Sequence, residues 1–141
     1  MDAVRTMFGE QRIDAVVHAA AALPDGTPNY FRTALSVNVQ GTANLVSAAS
    51  EAGCARFVYC SSVSVYGTTN DEGALFSETD LPSPEDVYAW SKWAGEEYVR
   101  LSCRKGDMMA PLCACQACRP RQAKRGFSLI WPWRRLEAIP S

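Results

Sequence analysis

The sequence has 141 residues, 48% hydrophobic and 21% charged, which suits one globular domain of ordinary composition. Its longest apolar run, residues 15–23 with His18 inside it, falls far short of the roughly 20 residues of a spanning helix, so a membrane span is excluded. The formal net charge of −1 conceals an asymmetry, because residues 1–99 carry 5 basic and 13 acidic side chains and residues 100–141 carry 9 basic and 2 acidic.

Residues 3–12 read as a mildly amphipathic helix that leads into a strand, Ala15-Val16-Val17-His18, whose continuous apolar character predicts a parallel strand covered on both faces. A loop with Pro24, Gly26 and Pro28 follows. From about residue 29 to residue 52 the pattern is helical, with Val37, Gly41, Leu45, Ala48 and Ala52 stacked on one face and Gly53 closing the helix. Arg56-Phe57-Val58-Tyr59-Cys60-Ser61 predicts a second buried strand, so strand, helix and strand form a parallel crossover unit. Cys54 and Cys60 read as small buried apolar residues rather than a disulfide pair.

Residues 62–83 predict a long polar loop. The next helix has Ser83 as its cap and Pro84 in its first turn, and runs through Tyr88 to about Arg104. Residues 108–118 show neither helical nor strand periodicity, and no internal repeat is visible. Half of the eight prolines and four of the six cysteines lie beyond residue 102.

The segment Tyr88-Ala89-Trp90-Ser91-Lys92 puts a phenol and an ammonium one helical turn apart. Such a pair can act as a general base, since a nearby cation favours the phenolate of a group with an ordinary pKa of about 10; it can equally be a solvated surface pair. Ser61 and Ser62 stand at the C-terminal end of the second strand, where open α/β sheets bind ligands, or simply in a strand-ending turn. Asn38, within a helical pattern, offers an amide to a water or a backbone group, or is an exposed polar residue. His18 is the only histidine, which excludes a multi-histidine metal site, and it is read as shaping the strand end.

In order and spacing, four blocks resemble the extended short-chain dehydrogenase/reductases, in particular NAD-dependent epimerases and dehydratases acting on nucleotide sugars. They are Val16-Val17-His18-Ala19-Ala20-Ala21, Asn38-Val39-Gln40-Gly41-Thr42, the run from Tyr59-Cys60-Ser61-Ser62 to Tyr66-Gly67, and the Tyr88/Lys92 helix. The resemblance implies Tyr88 as acid/base, Lys92 lowering its pKa and touching the nicotinamide ribose, Ser62 bonding the reacting hydroxyl, and Asn38 supporting the array. Ala19, Ala20, Ala21, Asn38, Ser61, Tyr88 and Lys92 would meet the cofactor, NAD with NADP as the alternative, which supplies the redox step. The implied substrate is a nucleotide sugar, and the implied partner is a second copy docked through the two long helices with Trp90, Trp93 and Tyr98.

The fold class is therefore α/β, a partial Rossmann-like doubly wound parallel sheet. Set against that resemblance, it is expected to lack the first βαβ nucleotide-binding half, because no three glycines make a phosphate-binding fingerprint, and the substrate domain, because residues 111–121 do not resemble that region. Weak NAD binding is expected in consequence. Residues 1–107 are assigned to this partial domain and residues 108–141 to an irregular basic tail, rich in Cys, Pro and Trp, of the composition a shifted reading frame would give. Zinc binding by Cys103, Cys113, Cys115 and Cys118 is disfavoured by their spacing, and nucleic-acid binding by the tail is disfavoured against a plain basic tail. With no positive leader in residues 1–14 the chain is expected in the cytoplasm. Against the enzyme reading stand a catalytically inactive remnant, an interaction module, or a reductase of the same family using NADP.

Overall fold

A computed structural model describes residues 2–68, 76–77, 79–104, 108 and 112–115. Helix α1 (Asp2–Glu10) leads into strand β1 (Ala15–His18). A continuous helical rod follows, made of α2 (Tyr30–Thr33), a π-helical stretch (Ala34–Gln40) and α3 (Gly41–Glu51). Strand β2 (Arg56–Ser62), a 3-10 turn (Val63–Tyr66), helix α4 (Val87–Cys103) and strand β3 (Leu112–Cys115) complete the order. The strands form one parallel sheet ordered β1-β2-β3, with Val16 opposite Phe57 and Tyr59 opposite Leu112.

The α/β class and the parallel arrangement agree with the sequence pattern, and several local expectations are corrected. Strand β3 lies where no period is visible, because four apolar residues paired along a central strand are too short a run to register as a pattern. Cys113 and Cys115 fall in it; the remainder of residues 116–141, Cys118 and the basic cluster included, lies outside the described residues. Strand β1 is not covered on both faces by the described residues, since Val17 is 68% exposed. Part of the expected loop after residue 62 is the 3-10 turn.

The buried stripe of the long rod is also displaced. Ala34, Asn38, Thr42, Val46 and Ala49 face inward, while Val37 is 45% exposed. A search for apolar residues at helical spacing selects Val37 and passes over Asn38 and Thr42, because two of the inward positions are polar. Helix α4 begins later than expected. Its cap is Asp86, whose carboxylate accepts the Ala89 N–H at 2.7 Å; Ser83 instead donates its N–H to the Val65 carbonyl at 2.9 Å.

The core lies between the rod, α4 and the sheet and centres on Phe8, Val46, Phe57, Tyr59 and Val99. Each such side chain, fully buried, contributes about 1.5–3 kcal/mol. Cys54 is buried and free, and Cys60 is half-buried and free, so neither forms a disulfide. Helix α4 can approach β2 closely only because residue 95 is glycine. A Cβ there would stand 2.3 Å from the Tyr59 hydroxyl and 2.8 Å from Cζ of its ring.

Gly95→Ala is accordingly expected to lower stability by about 1–3 kcal/mol through overpacking, despite the better helix propensity of alanine. Urea denaturation checks this, and a midpoint equal to or above that of the parent chain contradicts it.

Candidate active site

Helix α4 presents Tyr88 and Lys92 one turn apart. Tyr88 is half-buried, and Lys92 is only 2% exposed. The Lys92 ammonium sits 4.2 Å from the centre of the Tyr59 ring, a cation–π contact, and no carboxylate among the described residues comes within ion-pair distance of it. Burial pushes the Lys92 ammonium below its usual range, and the nearby Cys60 and Glu96 oppose that shift. Glu96, one turn further along α4, is itself pushed up by burial.

The fixed point of the site is Asn38. Its side chain accepts the Ala22 N–H at 2.7 Å, donates to the Ala22 carbonyl at 3.0 Å, and donates to the Ser91 hydroxyl at 2.9 Å. Ser91 in turn donates to the Tyr88 carbonyl at 2.8 Å. One amide thereby ties the loop after β1 to the π-helical stretch and to the turn of α4 that bears Tyr88. Within the rod, the Thr42 hydroxyl donates to the Asn38 carbonyl at 2.5 Å. That leaves Thr42 Oγ1 as the acceptor from His18 Nε2 at 2.9 Å, which assigns the ring proton of His18 to Nε2. Burial first, and the Lys92 charge second, hold the His18 imidazole below its ordinary range, so the ring stays neutral.

At the end of β2, Ser62 caps the 3-10 turn; its hydroxyl accepts the Ser64 N–H at 3.3 Å and shares a hydrogen bond with the Ser64 hydroxyl at 2.8 Å. The Ser61 hydroxyl is buried and reaches no partner at hydrogen-bond geometry among the described residues, though it lies near the Glu96 carboxyl. Ala19 and Ala20, just past β1, are exposed, and Ala21 is half-buried.

Of the residues singled out in the sequence, Asn38 and the backbone of Tyr88 are brought into one hydrogen-bonded unit through Ser91, and Lys92 follows on the same helix with its ammonium over the Tyr59 ring. Ser61 and Ser62 end the strand on which α4 packs, and Ala19 to Ala21 border the same unit through Ala22. Asn38 is no surface residue, at 1% exposure. Sequence reasoning missed Thr42, Ser91 and Tyr59. The signals were present, because Thr42 follows Asn38 by four residues and Ser91 follows Tyr88 by three, each on its partner's helix face.

Asn38→Ala leaves the half-buried Ala22 N–H without its acceptor and the Ser91 hydroxyl with only its bond to the Tyr88 carbonyl, and is expected to cost about 1–3 kcal/mol, the penalty for one unmet group. Chemical denaturation reads this as a lower midpoint with an unchanged slope. The His18 ring takes up its proton at lower pH when folded than when unfolded. Its neutral form therefore contributes stability that is fully present above the ordinary value of 6.5 and lost as pH falls from there through the folded-state value. His18→Gln is expected to flatten that part of a thermal stability profile, and an unchanged profile would exclude the role.

The NAD dependent epimerase/dehydratase family matches residues 1–118, running past residue 107. Mouse dTDP-D-glucose 4,6-dehydratase is 39% identical over 100 residues, which cover 69% of this chain and 27% of that protein. An Arabidopsis thaliana 3beta-hydroxysteroid-dehydrogenase/decarboxylase is 38% identical over 94 residues, 64% of this chain and 21% of that protein. A crystal structure of a short-chain dehydrogenase/reductase superfamily protein from Agrobacterium tumefaciens with bound NAD superposes with a TM-score of 0.70 at 33% identity, covering 79% of this chain and 33% of that one. The chain thus spans about a quarter of the length of the curated relatives it matches.

Proposed function

The chain belongs to the NAD dependent epimerase/dehydratase family, and from that premise we propose that it carries the proton-transfer face of an NAD-dependent enzyme acting on a nucleotide sugar. The observation that carries this reading is the burial of Lys92 one turn beyond Tyr88, on a helix locked by Asn38 through Ser91. A buried ammonium without an ion-pair partner is costly, and its presence beside a phenol has a purpose if that phenol must reach its anionic form.

In this reading Tyr88 accepts the proton of a substrate hydroxyl and returns it, with Lys92 favouring the phenolate. Ser62 orients the reacting hydroxyl, and Asn38 keeps the first turn of α4 in register with the loop after β1. The residues present suit NAD: Ala19 and Ala20 expose only methyl groups beyond a parallel strand, where backbone can approach a flat ligand. When bound, NAD supplies the hydride acceptor that the side chains lack. NADP is the alternative cofactor.

A nucleotide sugar is preferred over a steroid because mouse dTDP-D-glucose 4,6-dehydratase matches over more of this chain than the Arabidopsis steroid enzyme does. We assign the protein to the cytoplasm as a homodimer; among the described residues no helix is long and apolar enough to cross a membrane. Trp90 and Tyr98 on α4 are exposed at 37% and 38%, Trp93 is half-buried, and Val37 on the rod is exposed, which gives the paired helices an apolar outer face for a second copy.

Tyr88→Phe is expected to reduce turnover of a dTDP- or UDP-sugar with NAD by about 10²-fold or more while leaving NAD affinity unchanged. Lys92→Met is expected to weaken both. Steady-state assays with calorimetric NAD titration check this; undiminished turnover by Tyr88→Phe, or no turnover by the unaltered chain at any NAD concentration, overturns the reading.

A further inference from the structure

The catalytic face has two halves, the end of β2 with Ser62 and the first turn of α4 with Tyr88, and they are far apart in sequence. A short strap joins them. Past the 3-10 turn, the Val65 carbonyl accepts the Ser83 N–H at 2.9 Å. Gly67 then adopts φ +81° and ψ −152°, a conformation open essentially to glycine alone, and a Cβ there would lie 2.5 Å from the Ser83 carbonyl oxygen. At the far end one carboxylate oxygen of Glu85 accepts the Thr68 N–H at 3.1 Å and the Thr68 hydroxyl at 2.8 Å, while its other oxygen lies 3.0 Å from the same hydroxyl. Glu85 immediately precedes the Asp86 cap and stands three residues before Tyr88.

We propose that Glu85 is a positioning residue for Tyr88: by gripping Thr68 it holds the first turn of α4 at a set distance from the serine-bearing end of β2. This deepens the proposed function, because it presumes Tyr88 as the acid/base. The physical case is the local connectivity. Asp86 fixes where α4 starts through the Ala89 N–H but does not fix where that start lies against β2. The stitch from Val65 to Ser83 and the grip of Glu85 on Thr68 do so from both sides of Gly67. The Thr68 hydrogen bonds also hold the Glu85 carboxyl below its usual range, so the grip is complete above the ordinary value of 4.5 and weakens as pH falls through the folded-state value. No other titratable group among the described residues acts on this carboxyl, and its neighbour Asp86 is engaged at Ala89.

The test is nuclear magnetic resonance on the full chain, labelled with 15N throughout and with 13C in the tyrosine rings, from pH 7 to pH 3. In the parent chain the Thr68 amide and the Tyr88 ring signals are expected to move together as Glu85 takes up its proton. Glu85→Ala is expected to speed Thr68 amide exchange about tenfold at neutral pH and to displace the Tyr88 signals at every pH. Glu85→Gln keeps an acceptor without the charge, so it should restore both signals near their neutral-pH positions and abolish their pH dependence. Thr68→Ala, which leaves the helix cap untouched, should displace Tyr88 in the same direction as Glu85→Ala. Tyr88 signals that stay fixed while Thr68 responds, or a Thr68 amide indifferent to Glu85→Ala, would overturn the proposal. These readouts do not need turnover, so a Tyr88→Phe variant of full activity would defeat the catalytic reading and leave the strap standing.

Discussion

One buried amide organises this molecule. Asn38 sits where three pieces of chain converge, and its hydrogen bonds to Ala22 and Ser91 replace the water that both backbone and hydroxyl would otherwise demand. Backbone groups of an irregular segment are hard to bury, because no ladder satisfies them. The residues after β1 form such a segment, and Asn38 meets both the N–H and the carbonyl of Ala22 in the way a neighbouring strand would. The loop is thereby held beside α4 without any strand to carry it, and its exposed alanines stay at the sheet end.

The rod accommodates this demand by loosening its own winding. Across Ala34–Gln40 the turns are π-helical, and the Gly41 N–H closes on the Ser36 carbonyl five residues back. Wider turns of this kind are uncommon and gather at functional sites. Here the hydroxyl of Thr42 returns to the Asn38 carbonyl, and His18 completes the chain of bonds back to β1. Polar groups run unbroken from the strand end through the rod to Tyr88, and each buried donor or acceptor on that path is met. Ser61 lies off the path, buried at the end of β2 with the Glu96 carboxyl as its neighbour.

Much of the fold is legible in the sequence because most of its elements obey the rule that apolar spacing reports burial. Arg56–Ser62 reads as a strand since Phe57 and Tyr59 are both aromatic and both fully buried, and the glycine stop at Gly53, with φ +71°, closes α3 as expected. The rule fails around the candidate site. The inward stripe of the rod contains Asn38 and Thr42, so counting apolar residues shifts the stripe by a position and turns Val37 inward when it faces out. The cap of α4 is misread for a related reason. Ser83 and Pro84 satisfy the local preference for a helix start, but Ser83 has its backbone committed to Val65 and Glu85 its side chain to Thr68, so the helix starts at the next residue able to cap it, Asp86. In both places tertiary hydrogen bonds outweigh local propensity, and neither bond leaves a mark in a single sequence.

Lys92 shows how such an arrangement holds a charge that its surroundings disfavour. Its ammonium is desolvated, lies on the face of a buried aromatic ring, and has Glu96 as its acidic neighbour one turn away on the same helix. A cation on a ring face gains about 0.5–2 kcal/mol, less than desolvation of a lone ammonium costs, so the ring alone does not account for a charged Lys92. The half-buried Glu96 is pushed toward its neutral form by the same desolvation, and each of the two ionises more readily when the other does. A phenolate at Tyr88 would be a second anion within one turn of the same ammonium. A charged Lys92 is thus favoured less beside a Tyr88 phenol than beside its phenolate, and in general it is a difference of that kind between two states, rather than the attraction in either, that lowers a barrier to proton transfer.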